Sequence, residues 1–152
     1  MKKLFSLFAC VLLALSFVAA TADAKPRKKH RSPAAVNVII DISSQSMAVK
    51  VNGFPYGYWK VSTARSGYAT PRGSYGVQRM HKVYFSRKYD NAPMPNSIFF
   101  RGPYAIHGTY HTKQLGRVAS RGCVRLHPSN AARLYALVKR YGAGRTRITL
   151  VN

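Results

Sequence analysis

Two residues of this chain could together perform nucleophilic chemistry. Cys123 stands in Ser120-Arg121-Gly122-Cys123-Val124-Arg125, and His107 stands upstream in Ile106-His107-Gly108-Thr109. A thiol becomes a ready nucleophile near neutral pH when a base or an imidazolium is close by. The two must meet in space, not in sequence. Small residues beside Cys123 leave the backbone approachable, and at Gly122-Cys123 two N–H groups can point outward together, as binding an oxyanion requires. The flanking Arg121 and Arg125 supply a positive field that favours thiolate over thiol. The chemistry implied is acyl transfer. The plainer alternative is an inert, buried cysteine, and the polar, small and basic neighbours weigh against it.

A metal would compete for the histidines. His107 and His111 have the i, i+4 spacing of zinc proteases, but no Glu follows the first His and the context is a loop. No metal or organic cofactor is expected. His111 is read as exposed or beside a substrate groove, His127 as structural at a helix start, His81 as a surface residue and His30 as part of a tail.

The charge balance narrows the field. The 152 residues carry 25 Lys and Arg against three acidic residues, a formal net charge of +22, and there is no Glu. A glycosidase pair of carboxylates is nearly excluded by this inventory, and so is a carboxylate-rich metal site. Such a chain is drawn to polyanions, which means nucleic acid in the cytoplasm and anionic polymers or lipid headgroups in the cell envelope.

The first residues favour the envelope. Met1-Lys2-Lys3, an apolar run from Leu4 to Ala20, and Ala22-Asp23-Ala24 read as a signal peptide over residues 1–24. The expected destination is the periplasm or cell wall, and nucleic acid is not an expected partner. Cys10 leaves with that segment. Its lipobox-like setting, Leu7-Phe8-Ala9, is discounted because the apolar run continues past it. Cys123 is then the lone cysteine of the mature form, a liability in an oxidising compartment unless it is used. Residues 25–34 form a basic, proline-bracketed tail, read as disordered and tethering to an anionic surface, or equally as a solvated arm. Residues 35–152 suit one domain.

Elements that could position Cys123 and His107 follow from patterning. Val36 to Ile42 is β-branched and predicts a buried strand. Ser46 to Val51 alternates, and Asn52-Gly53 predicts a hairpin turn because both residues tolerate positive φ. Tyr56 to Ser62 and Ser74 to Met80 predict further strands. Lys82 to Asn96 is too long and irregular for a simple turn and predicts a functional loop or lid. Ile98 to Phe100 and Tyr104 to Ile106 flank Gly102-Pro103 and deliver His107 to a strand end. Leu134, Leu137, Val138 and Tyr141 mark one amphipathic helix, with Ser129 as its expected N-cap and Gly142 as its C-cap. Thr146 to Val151 predicts a closing strand. The expected fold is mainly β with one packed helix.

The motif Ile106-His107-Gly108-Thr109 with Ser120-x-Gly122-Cys123-Val124-Arg125-Leu126 resembles the signature of the L,D-transpeptidases with a YkuD-type catalytic domain. Ile39-Ile40-Asp41-Ile42, Ala69-Thr70-Pro71-Arg72-Gly73-Ser74-Tyr75 and Asp90-Asn91-Ala92-Pro93-Met94-Pro95 extend the likeness from about Val36 to the C-terminus. The resemblance implies a β-sandwich-like domain acting on peptidoglycan stem peptides. It implies Cys123 as nucleophile and His107 as proton acceptor and donor. D-Alanine leaves from a tetrapeptide stem, and an amine of another stem or of an envelope lipoprotein resolves the thioester. Water as acceptor would make the site an L,D-carboxypeptidase, and a non-catalytic cationic envelope-binding protein is the alternative from another class. Ser120 and Gly122 would shape the loop and present backbone groups. Arg125, Gly108 and Thr109 would contact substrate. The resemblance also puts Arg101, Tyr84, Tyr89 and Met94 near the groove. Many family members have His where this chain has Arg121, so any tuning of the thiol from that position must be electrostatic here.

Overall fold

A computed structural model describes residues 33–152. The expected signal peptide, Cys10, His30 and the tail up to residue 32 lie outside the described residues.

The chain begins with β1 (Val36–Asp41), β2 (Ser46–Val51) and β3 (Phe54–Lys60). In β1, Val36, Val38 and Ile40 are buried while Ile39 is exposed, the period-2 pattern of a sheet with one face on a core. Asn52 and Gly53 make the β2–β3 turn with φ of 50° and 88°. Before it, Asp41 Oδ1 accepts hydrogen bonds from the Ser43 hydroxyl at 2.6 Å and from the Ser43 and Ser44 backbones at 2.9 and 3.0 Å, which close the β1–β2 connection and, the hydroxyl foremost, hold the carboxyl below its usual range.

The next elements are β4 (Gly73–Gly76), β5 (Arg79–His81), the short pair β6 (Phe85–Ser86) and β7 (Ala92–Pro93), then β8 (Ser97–Arg101) and β9 (Tyr104–Gly108). After β10 (Val124–Leu126) comes α1 (Pro128–Tyr141), and β11 (Thr146–Val151) follows. One sheet has the order β3-β2-β1-β11-β4 and a second has β10-β9-β8-β5. Most neighbours are antiparallel, but β1–β11 and β9–β10 are parallel. The main core lies between the sheets, where Val38, Ile40, Met47, Ile148 and Leu150 of the first meet Ile98, Phe100, Ile106, Val124 and Leu126 of the second. Helix α1 contributes Ala131, Leu134, Leu137 and Val138 to that core.

Three expectations are corrected. Ser74 to Met80 is not one strand: β4 pairs with β11 in the first sheet and β5 with β8 in the second. The chain changes sheets at Val77-Gln78, where Gln78 N–H donates to the Phe99 carbonyl at 2.8 Å, and side-chain alternation carries no mark of such a crossing. The helix N-cap is His127 rather than Ser129. Pro128 takes the first helical position, for which its fixed φ is suited, and the Ser129 N–H donates back to His127 Nδ1 at 3.4 Å. The strand expected to end at Ser62 leaves the ladder after Lys60 and crosses towards the second sheet. There Ser62 exchanges backbone hydrogen bonds with Arg125 at 3.0 and 2.9 Å, and Gln45 bonds to both backbone and side chain of Thr63.

Candidate active site on the outer face of the second sheet

The two sides of the second sheet do different work. Parallel pairing sets Val124 beside Ile106 and Arg125 beside His107. Val124 and Ile106 turn into the main core. By alternation Arg125, His107 and Ala105 face the other way, as does Cys123, two positions before Arg125. On that side Cys123 packs with Phe99, Met94, Ala105 and Tyr84. Phe99 and Phe100 are both buried because each side of this sheet is covered. The cover on the outer side is the loop from Lys82 to Asn96, held by Met94 N–H to the Tyr84 carbonyl and Asn96 N–H to the Lys82 carbonyl. A groove of about 850 Å³ runs between this loop and the residues after β3. Cys123 and His107 both line it. Diagonal neighbours on adjacent strands stand about 7–8 Å apart at Cα, within reach of longer side chains.

The imidazole is oriented by the strand end. His107 Nδ1 is 2.8 Å from the Gly108 carbonyl. A carbonyl only accepts, so Nδ1 carries the proton and Nε2 keeps its lone pair. Burial lowers the pKa of His107 to about 4, partly opposed by that hydrogen bond and reinforced by the charge of Arg125. The ring is a neutral base at neutral pH.

The thiol differs from expectation. Burial raises the pKa of Cys123, and a backbone hydrogen bond from Ala105 and the charge of Arg125 only partly oppose it. The arginine field was expected to yield a thiolate, but desolvation of the half-buried side chain is the larger effect. Arg121 is exposed, with its guanidinium carbon 4.8 Å from the ring centre of Tyr89. The thiol donates to the Pro103 carbonyl at 3.8 Å.

Gly122 has a φ of +130°, and a Cβ there would lie 2.7 Å from Tyr104 Cε1 and 3.1 Å from the Ala69 carbonyl oxygen. Its N–H donates to Ser120 Oγ at 3.0 Å. That corrects the expectation that this N–H faces outward to bind an oxyanion. Its carbonyl accepts from the Thr70 hydroxyl at 2.9 Å, and Thr70 Oγ1 in turn accepts from the Ala64 N–H at 3.0 Å. Buried Thr70 thus ties the Cys123 loop to the residues after β3. It lies in the quoted Thr70-Pro71 segment, but spacing alone does not show it reaching Gly122.

Arg125 and Thr109 line the groove, whereas Gly108 does not. Gly108 is buried, and a Cβ on it would meet Pro95 Cγ at 3.1 Å and Pro128 Cα at 3.3 Å. Its part is to let three segments approach, not to touch a ligand. The Arg125 side chain donates to Gln114 Oε1 at 3.1 Å. His111, Tyr84, Tyr89 and Met94 also line the groove, while Arg101 reaches towards the Tyr75 hydroxyl. His81 packs its ring on Tyr84 and Phe99. Arg65 and Arg79 line the groove as well. They were not anticipated, since nothing in their sequence setting separates them from the other cations.

Residues 35–149 match the family model described as the L,D-transpeptidase catalytic domain, YkuD. YqjB of Bacillus subtilis (strain 168), whose name assigns it to the L,D-transpeptidases, is 24% identical over 126 residues, covering 74% of this chain and 72% of that protein. An L,D-transpeptidase crystal structure from Mycobacterium tuberculosis H37Rv is similar with a TM-score of 0.71 at 20% identity, covering 78% of this chain and 58% of that one. One from Xylanimonas cellulosilytica has a TM-score of 0.66 at 26% identity, covering 80% of this chain and 62% of that one. The chain therefore spans about three fifths of these solved chains.

Proposed function

Since the chain belongs to the L,D-transpeptidase catalytic-domain family, we propose that it is an exported cysteine L,D-transpeptidase that acts on peptidoglycan tetrapeptide stems in the periplasm or cell wall. The observation that carries this reading is the presence of a thiol and a tautomer-fixed imidazole together in one groove. The basic surface, and the tail before the domain, serve adhesion to anionic envelope polymers.

The chemistry follows from a neutral resting pair. The Cys123 thiol turns from the Pro103 carbonyl towards His107 and gives its proton to Nε2 as the sulfur attacks the carbonyl before the terminal D-alanine. A C–S bond forms and the carbonyl π pair moves onto oxygen. When that pair returns, the C–N bond breaks, and D-alanine leaves with the proton from His107. The thioester is then attacked by an amine, whose proton passes to His107 and on to the departing sulfur. The acceptor amine belongs to a second stem or to an envelope lipoprotein. Starting from a thiol rather than a thiolate makes His107 a general base in the acylation step itself.

Intact-mass analysis of the purified protein with a disaccharide-tetrapeptide tests this. A gain equal to the donor minus D-alanine, absent from Cys123→Ala, is expected. With an added amine the product is a cross-link. Release of a trimmed stem instead would assign the site to L,D-carboxypeptidase activity. No adduct and no D-alanine release, with the thiol free, would refute the enzyme reading.

A further inference from the structure

The groove is lined by positive charge. Arg65, Arg79, Arg87, Lys88, Arg121 and Arg125 line it, and among the described residues no Asp or Glu does. Three of these cations gather beside the nucleophile: the charges of Arg121 and Arg65 both act on Arg125, and the charge of Arg125 acts on Cys123 and His107. Like charges brought together repel, and an incoming anion relieves that repulsion.

All three are held by neutral groups. The guanidinium carbon of Arg65 lies 5.2 Å from the ring centre of Tyr68, and that of Arg121 lies 4.8 Å from that of Tyr89. Arg125 is held by Gln114. An aromatic face supports a guanidinium through its π cloud and leaves the in-plane N–H groups available. Those N–H groups are the ones that fork onto a carboxylate. The arrangement positions the arginines without using up the donors that recognise an anion.

We infer that Arg65 and Arg121, together with Arg125, receive the carboxylates of the donor stem, so that this site selects stems whose carboxylates are free over stems whose carboxylates are amidated. The inference rests on the transpeptidase reading above. An amidated stem offers these arginines a neutral carbonyl in place of a charged fork, and it leaves their mutual repulsion unrelieved. Selectivity is a matter of capture, so it resides in KM more than in kcat.

The test compares two synthetic tetrapeptide donors, one with free diaminopimelate and glutamate carboxylates and one with both amidated. Acylation of the full mature protein is followed by mass. The expected ratio of kcat/KM, free over amidated, is about tenfold or more, since two charge-assisted hydrogen bonds are at stake, and it shrinks as salt is raised. In the Arg65→Gln/Arg121→Gln variant the ratio falls to within about twofold. Both positions are exposed, so the fold tolerates the change, and Arg65→Lys/Arg121→Lys restores most of the ratio. Equal use of both donors by the unaltered protein would overturn the inference. So would a ratio that survives in the Gln variant, including one that survives while binding to a phosphate-bearing polymer is lost. Failure of both donors to form a thioester would refute the transpeptidase reading, and the selectivity with it.

Discussion

Acidification tests the reading of His107 with an unusually clean background. Its folded pKa of about 4 lies below the ordinary 6.5 because burial penalises the charged ring. Between those values the unfolded chain binds a proton that the folded chain does not. The contribution is therefore present in full above pH 6.5, is lost as pH falls towards 4, and is flat below that. The gap amounts to about 3 kcal/mol, at a slope of about 1.4 kcal/mol per pH unit. In most proteins the titration of many carboxylates would overlay this change. Here the whole chain has three acidic residues and no Glu. Asp41 is held below its usual range, so the stability it contributes is lost only at still lower pH. The assay is urea unfolding of the wild type and His107→Gln between pH 7 and pH 4. His107→Gln retains every other titrating group, so the difference between the two curves isolates this imidazole. That difference should change by about 3 kcal/mol across the range. Parallel curves would refute a buried neutral imidazole, and with it the resting state assigned to the site.

Three further outcomes follow from the same geometry. Burial holds the Cys123 thiol above its ordinary 9.0, so alkylation by iodoacetamide should keep rising past pH 9, and a plateau near pH 7 would reveal a thiolate–imidazolium pair instead. Thr70→Val orphans the Ala64 N–H and the Gly122 carbonyl, and should cost about 2–3 kcal/mol in urea unfolding; a loss under about 1 kcal/mol would show that water replaces the hydroxyl. Gly122→Ala meets the Ala69 carbonyl as well as a positive φ, and should cost about 3 kcal/mol or more, with slower alkylation of Cys123. A fully stable variant would mean that this loop relaxes freely.

Local chemistry written into adjacent residues was legible in the sequence. The Asn52-Gly53 turn, the alternation in β1 and the apolar stripe of α1 each depend on neighbours a few positions away. The expectation of a mainly β domain with one helix rested on such signals. What was not legible depends on distant partners. The switch of sheets at Val77-Gln78 depends on where β8 and β11 lie. The helix cap is the local exception: Ser129 is the commoner capping side chain, but Pro128 takes the first helical position and moves the cap back to His127. The arginines around Cys123 suggested a thiolate, yet the state of the thiol depends on how deeply Phe99, Met94 and Ala105 enclose it, and composition carries no measure of depth. Arg65 and Arg79 reach the groove from segments far from the motif.

The parallel contact between β1 and β11 bears on how the domain is assembled. Val36 pairs with Thr146 and Asp41 with Val151, and β11 lies inside the first sheet, between β1 and β4, rather than at its edge. Until residues 146–151 arrive, β4 has no strand to join and β1 offers an open flank. The β1–β2–β3 meander can form early because its contacts are near in sequence. Closure of that sheet waits for a contact that spans almost the whole domain, and loops of that length close slowly. A chain emerging from a ribosome thus leaves this sheet unfinished until β11 is free, and folding then completes by threading that strand into a gap prepared for it.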